Sequence, residues 1–171
     1  LILQLEVPLE TVIYAARLAK QQGTLVILNA AHVRVLPDEL LEMVDIIVAN
    51  EVEVILLSGA QDVDVSTAAQ ACRPLIEKGV KTVITTLGKD GAVLASAEGA
   101  VKVRGFKVNA IDTTSAGDTF VGALACLITE GKPLEEAAYF ANAAAALTCT
   151  RSGAQQSMPT RDEVEALLAA P

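Results

Sequence analysis

Two short runs in this chain carry no polar residue, and they limit its possible folds more than anything else in it. Leu25-Val26-Ile27-Leu28 and Ile46-Ile47-Val48-Ala49 show no alternation of apolar and polar side chains. A third run, Thr82-Val83-Ile84-Thr85-Thr86, is β-branched throughout. Strands of this kind are buried on both faces, which happens in parallel sheets covered by helices. Helical spacing fills the intervals. Val12, Ala15, Ala16 and Ala19 recur between Pro8 and Gly23, residues that favour a helix start and a helix stop. A short helix is expected near 37–43, another from Asn50 to Gly59, and one from a Ser66 cap through Lys78 and Gly79. Leu1–Leu5 is expected to be the first strand. Ala92–Ala97 and Val101–Val108 read as an antiparallel hairpin around Glu98-Gly99. The last third reads as helices over 117–130, 134–149 and 160–169. The fold class is therefore α/β, with a mainly parallel sheet and an antiparallel edge hairpin.

Ligands of such sheets bind beyond the carboxyl ends of the strands. Polar residues collect there: Glu6, Asn29, Asn50, Glu53 and the turn Thr86-Leu87-Gly88-Lys89-Asp90-Gly91. The net charge of −8 argues against a nucleic-acid partner or an anionic membrane surface, though not against a nucleotide held by backbone dipoles. No apolar run approaches the roughly 18 residues of a membrane span, and no signal peptide is visible. Cytoplasm is the default location. Cys72, Cys126 and Cys149 are far apart, without a C-x-x-C pair, and read as small core residues in a reducing compartment.

The chemistry concentrates in Asp112-Thr113-Thr114-Ser115-Ala116-Gly117-Asp118-Thr119-Phe120. Small side chains let a ligand approach the backbone, and the apolar run that follows makes this a helix N-terminus, where free amides attract phosphate. A carboxylate aimed at phosphate needs a task. Asp118 can accept a proton from an attacking hydroxyl, or it can simply cap the helix. Asn50 and Glu53 have capping-box spacing, and a capped helix start is also a phosphate site.

This block resembles the signature of the ribokinase-like sugar kinases, D-T-x-x-A-G-D-x-F, which Asp112, Thr113, Ala116, Gly117, Asp118 and Phe120 fit. The resemblance runs through nearly the whole chain. It implies a Rossmann-like three-layer sandwich, the ribokinase-like fold, with residues 1–171 as the C-terminal, nucleotide-binding portion of the kinase domain. The family's N-terminal half, with most of the sugar pocket and a small β-sheet lid, would then be missing. An apolar strand at residue 1 without a polar lead-in agrees with that.

By the same resemblance the reaction is transfer of the γ-phosphoryl of ATP to a sugar primary hydroxyl, ribose first. Asp118 would be the base, with the amides of Ala116, Gly117 and Asp118 as an anion hole. Asn50 and Glu53 match the N-x-x-E motif at the magnesium–phosphate end. Thr86, Gly88 and Gly91 match T-L-G-x-x-G along the nucleotide, and Asn142 borders the adenine, although read alone it is a buried amide bonded to backbone. Glu6 would meet the sugar hydroxyls. Asp112, Thr114, Thr148, Arg151, Gly153 and Ser157 would hold an activating monovalent cation, potassium. Asn29-Ala30-Ala31-His32 departs from the usual N-P-A-P, and His32 reads as a loop substitution rather than a catalyst. Three alternatives stay open: a non-catalytic nucleotide-binding remnant, a fragment inactive by itself, and a kinase for another sugar or nucleoside. A nicotinamide-binding domain is disfavoured, because no G-x-G-x-x-G follows the first strand. A monomer and a homo-oligomer formed through exposed sheet are both open.

Overall fold

The computed structural model describes residues 1–170. The chain divides into two compact units, one of Leu1–Leu87 with Val93–Lys102, the other of Gly88–Ala92 with the chain from Val103 onward.

The first unit is built on a six-stranded sheet whose spatial order follows the sequence: β1 (Ile2–Leu3), β2 (Ile27–Asn29), β3 (Ile46–Asn50), β4 (Thr82–Thr86), β5 (Ala92–Ser96) and β6 (Gly99–Val103). β1 to β4 are parallel, with Ile27 opposite Ile46 and Asn50 opposite Thr86. β5 and β6 form the antiparallel edge. The unalternated runs are buried as their composition requires, Leu28, Ile47, Val83 and Ile84 completely. Helices α1 (Leu9–Gln21), α2 (Asp38–Leu41), α3 (Glu51–Ser58), α4 (Ala68–Ala71) and α5 (Arg73–Glu77) complete the unit. Leu5, Val12, Ala16, Leu40, Val54 and Leu75 join the strand residues in one core. At the amino end of β3, buried Asp45 accepts from the Val26 amide at 2.8 Å and from Lys20 at 2.9 Å, and pairs with Lys81 at 2.7 Å. Burial alone would raise its pKa. The bonds from Lys81, Val26 and Lys20 outweigh burial and leave it below the ordinary 3.8.

Several boundaries differ from the sequence reading. β1 is two residues long rather than five. The hairpin turns at Ala97–Glu98, and its second strand stops at Val103. Ser66 does not cap one long helix. Asp64 Oδ1 accepts from the Ser66 and Thr67 amides at 2.6 and 2.9 Å, so the turn is organised one step earlier. The helix is then interrupted at Cys72, because Pro74 has no N–H to continue the ladder.

The second unit contains α6 (Ala116–Thr129), α7 (Leu134–Thr148) and α8 (Arg161–Ala169). Ala143, Ala144 and Val164 are its buried seam, with Phe106, Phe140, Leu147 and Leu168 packed around them. Small alanines on α7, Ala137, Ala138, Ala141, Ala143 and Ala144, are buried there, with Phe120 of α6 buried as well. Cys126 is the exception to the reading of cysteines as core. It lies exposed on α6 beside the Arg161 guanidinium at 3.3 Å.

Candidate active site

In the first unit the candidate residues sit at the carboxyl ends of the parallel strands. Asn50 ends β3 in extended conformation (φ −82°, ψ 178°) and caps α3. Its Oδ1 accepts from the Glu53 amide at 2.9 Å, and Glu53 Oε2 accepts from the Asn50 amide at 2.8 Å. The capping-box spacing is thus realised in both directions. It uses one oxygen of each side chain and leaves Glu53 Oε1 and Asn50 Nδ2 without a protein partner among the described residues. Thr86 lies beside Asn50 in register, its hydroxyl 3.5 Å from the Ala49 carbonyl. Glu6, beyond β1, is not solitary: its Oε1 lies 3.1 Å from His32 Nε2. His32 has positive φ (59°), rare for a non-glycine residue. Local sequence gave no sign of this pair, since the two residues are 26 positions apart.

In the second unit Gly88–Asp90 make a tight turn closed by the Gly91 amide donating to the Gly88 carbonyl at 3.1 Å. Gly91 has φ +95°, and a Cβ there would stand 2.1 Å from the Val103 carbonyl oxygen and 2.4 Å from the Gly105 nitrogen. Gly105 meets the same constraint from the other side, where a Cβ would stand 2.4 Å from the Gly91 nitrogen and 2.5 Å from the Lys89 carbonyl oxygen. The sequence reading missed Gly105. A second glycine spaced to face the first is a signal visible only once the two segments adjoin.

The Ser115–Asp118 turn begins α6. Ser115 is left-handed (φ 60°) and makes no side-chain cap. The Ala116 amide donates to the Thr113 carbonyl at 3.2 Å, and the Thr119 amide to the Ser115 carbonyl at 2.9 Å. Asp118 is therefore not the N-cap; it stands three residues past it, and both Gly117 and Asp118 are exposed. Phe120, two residues on, is buried and anchors the turn.

Asp112 ties this turn to the loop after α7. Its Oδ1 accepts from the Thr114 amide at 2.9 Å and its Oδ2 from the Gly153 amide at 3.0 Å. Those bonds, Gly153 first and Thr114 next, depress its pKa to about 2. The carboxylate thus stays charged at any ordinary pH. The amides of Ile111 and Asp112 both donate to the Cys149 carbonyl, at 2.8 and 3.3 Å. Three other members of the proposed cation set, Thr148, Arg151 and Ser157, are engaged through their side chains. Thr148 is buried; its hydroxyl donates to the Ala144 carbonyl at 3.1 Å and lies 3.0 Å from the Thr119 hydroxyl, which can donate to it in turn. Ser157 donates to the Ala154 carbonyl at 2.6 Å, and Arg151 pairs with Glu163 at 2.5 Å. Their main-chain carbonyls are oxygen donors of the kind a hard cation takes. Asn142 is buried, and its Nδ2 donates to the Arg104 carbonyl at 3.1 Å, so the amide does bond to backbone.

The family model for pfkB carbohydrate kinases matches residues 2–161. The chain belongs to the pfkB family. Among pfkB relatives, the ribokinase of Haemophilus influenzae is 44% identical over 95% of this chain and 53% of its own length. The structure of Arabidopsis thaliana ribokinase complexed with ribose and ATP superposes with a TM-score of 0.94, at 36% identity, over 99% of this chain and 55% of that one. The ribokinase of Thermotoga maritima gives 0.90 at 39% identity, over 99% and 56%. The chain thus spans about half the length of the pfkB proteins it matches.

Proposed function

We propose that this chain is the nucleotide-binding portion of an ATP-dependent sugar kinase, with ribose as the first acceptor to test. The observation that carries the reading is Asp118, an exposed carboxylate in the first turn of α6 directly after Gly117. A hydroxyl brought to this carboxylate can lose its proton to one of its oxygens. The amides of Gly117 and Asp118 open the same turn and would stabilise charge on a transferred phosphoryl group, whereas the Ala116 amide is engaged with the Thr113 carbonyl. The identity of the relatives supports ribose, and the Arabidopsis protein in its complex holds both ribose and ATP.

Two groups implied by this chemistry fit the residues present. Magnesium supplies positive charge against the phosphates when bound. The spare Glu53 Oε1 suits contact through its retained waters, and the Asn50 Nδ2 can donate to a phosphate oxygen. Asp112 offers one permanent negative charge. No group of three or more Asp, Glu, His or Cys placed to hold a metal ion occurs among the described residues. One charge plus main-chain carbonyls of Thr114, Thr148, Arg151, Gly153 and Ser157 suits a monovalent cation such as potassium. Glu6 would meet the sugar hydroxyls, and Thr86, Gly88, Gly91 and Asn142 the nucleotide.

Because the chain spans about half of its relatives, the second reading is a portion that binds nucleotide without turnover. ATP turnover with ribose, measured on this chain and on its Asp118→Asn variant, separates the two. Ribose-dependent turnover that Asp118→Asn abolishes, with ATP binding retained, is the expected result for the kinase. Turnover that survives Asp118→Asn removes the base assignment.

A further inference from the structure

The segment after β6 carries an arginine whose setting is unlike that of a solvated surface cation. Arg104 Nε donates to the Tyr139 hydroxyl at 2.9 Å, and Nη2 bonds the same oxygen. Its guanidinium carbon lies 4.9 Å from the Tyr139 ring centroid and 5.9 Å from that of Phe106. The two rings are themselves in contact, with centroids 5.2 Å apart. One side of the guanidinium is thus held by aromatic groups, and the residue as a whole is still exposed. A planar cation fixed in this way is a preformed stacking surface with its rotamer freedom already lost.

Its neighbours give that surface a ligand. The Arg104 carbonyl is the group that Asn142 Nδ2 grips at 3.1 Å. Gly105, next in the chain, is the residue whose backbone adjoins Gly91. Tyr139 and Asn142 lie one helical turn apart on α7, on the same face. Arg104 is therefore built into the same assembly as Gly91 and Asn142, two residues given to the nucleotide under the reading above.

We propose that Arg104 is a nucleobase-stacking residue, favouring a nucleotide over a bare polyphosphate. This rests on the nucleotide-binding reading. The base would lie against the open face of the guanidinium, while the phosphates lie elsewhere and do not use this charge.

The test is calorimetric titration of the chain with ATP and, separately, with inorganic tripolyphosphate, for wild type, Arg104→Ala and Arg104→Lys. A cation–π contact at a partly exposed site corresponds to a loss of about fivefold in ATP affinity for Arg104→Ala. Tripolyphosphate affinity should not change. Arg104→Lys should lose nearly as much ATP affinity, because an ammonium has no plane to stack. Unchanged ATP affinity in Arg104→Ala overturns the proposal and leaves the kinase reading standing. So does an equal loss for both ligands, which would make Arg104 a general phosphate attractor. A wild-type chain that binds neither ligand overturns the nucleotide reading itself, and this proposal with it.

Discussion

Gly91 offers a sharp separation between backbone architecture and ligand contact, through its comparison with Gly88. Both belong to the same turn and both have positive φ, +95° and +54°. At Gly88 a methyl group would meet nothing within 4 Å. Gly88→Ala should therefore cost only the left-handed conformation, about 1 kcal/mol. At Gly91 the methyl would overlap three backbone atoms, at 2.1, 2.4 and 2.6 Å, where contacts under 3.0 Å essentially never occur. No side-chain rotamer can relieve this, so the 103–105 segment must move. Overpacking of that kind adds about 1–3 kcal/mol or more to the conformational cost. The sum is roughly 2–4 kcal/mol, and for a chain of this size that lowers the melting temperature by about 6–12 °C, against about 3 °C for Gly88→Ala. Thermal denaturation followed by circular dichroism measures both. If the two variants melt within a degree or two of each other, the close approach of Gly91 to Gly105 is wrong. Part of the reason for calling this turn structurally demanding would go with it.

Other expectations follow from the same reading of the structure. Asp45→Ala leaves the buried Val26 amide without its acceptor, while Lys20 and the largely exposed Lys81 regain water. The loss should be about 2 kcal/mol by urea denaturation. Because the folded pKa of Asp45 is depressed, its contribution is complete above 3.8 and disappears as pH falls through the lowered value, so wild type and variant should converge in acid. Asp112 behaves likewise, its contribution fading from about pH 4 toward about 2. Asp112→Asn should raise hydrogen exchange at the Thr114 and Gly153 amides, and equal protection in the variant would refute the tether. Asn50→Ala removes the α3 cap and should cost about 1 kcal/mol in the melting curve.

Local rules acting within about one helical turn made much of this protein readable from its sequence. The unalternated runs 25–28 and 46–49 announced a sheet buried on both faces, and Asn50 with Glu53 announced a cap that forms as spaced. Pro8 and Gly23 bracket α1 as their backbone preferences require. The glycine-bearing turn before Phe120 was legible as a helix start, and the match to the pfkB model agrees with it. Tertiary structure alone decided the pairings over long separations. These include Asp112 with Gly153, 41 residues away, and Asn142 with the Arg104 carbonyl, 38 away. They also include Asp45 with Lys20, Glu6 with His32, and Gly91 against Gly105. A side chain's periodicity shows that it will be buried or exposed, but its partner depends on which strands and helices the completed fold sets side by side. That is fixed by the packing of the whole core, and no short window of sequence contains it.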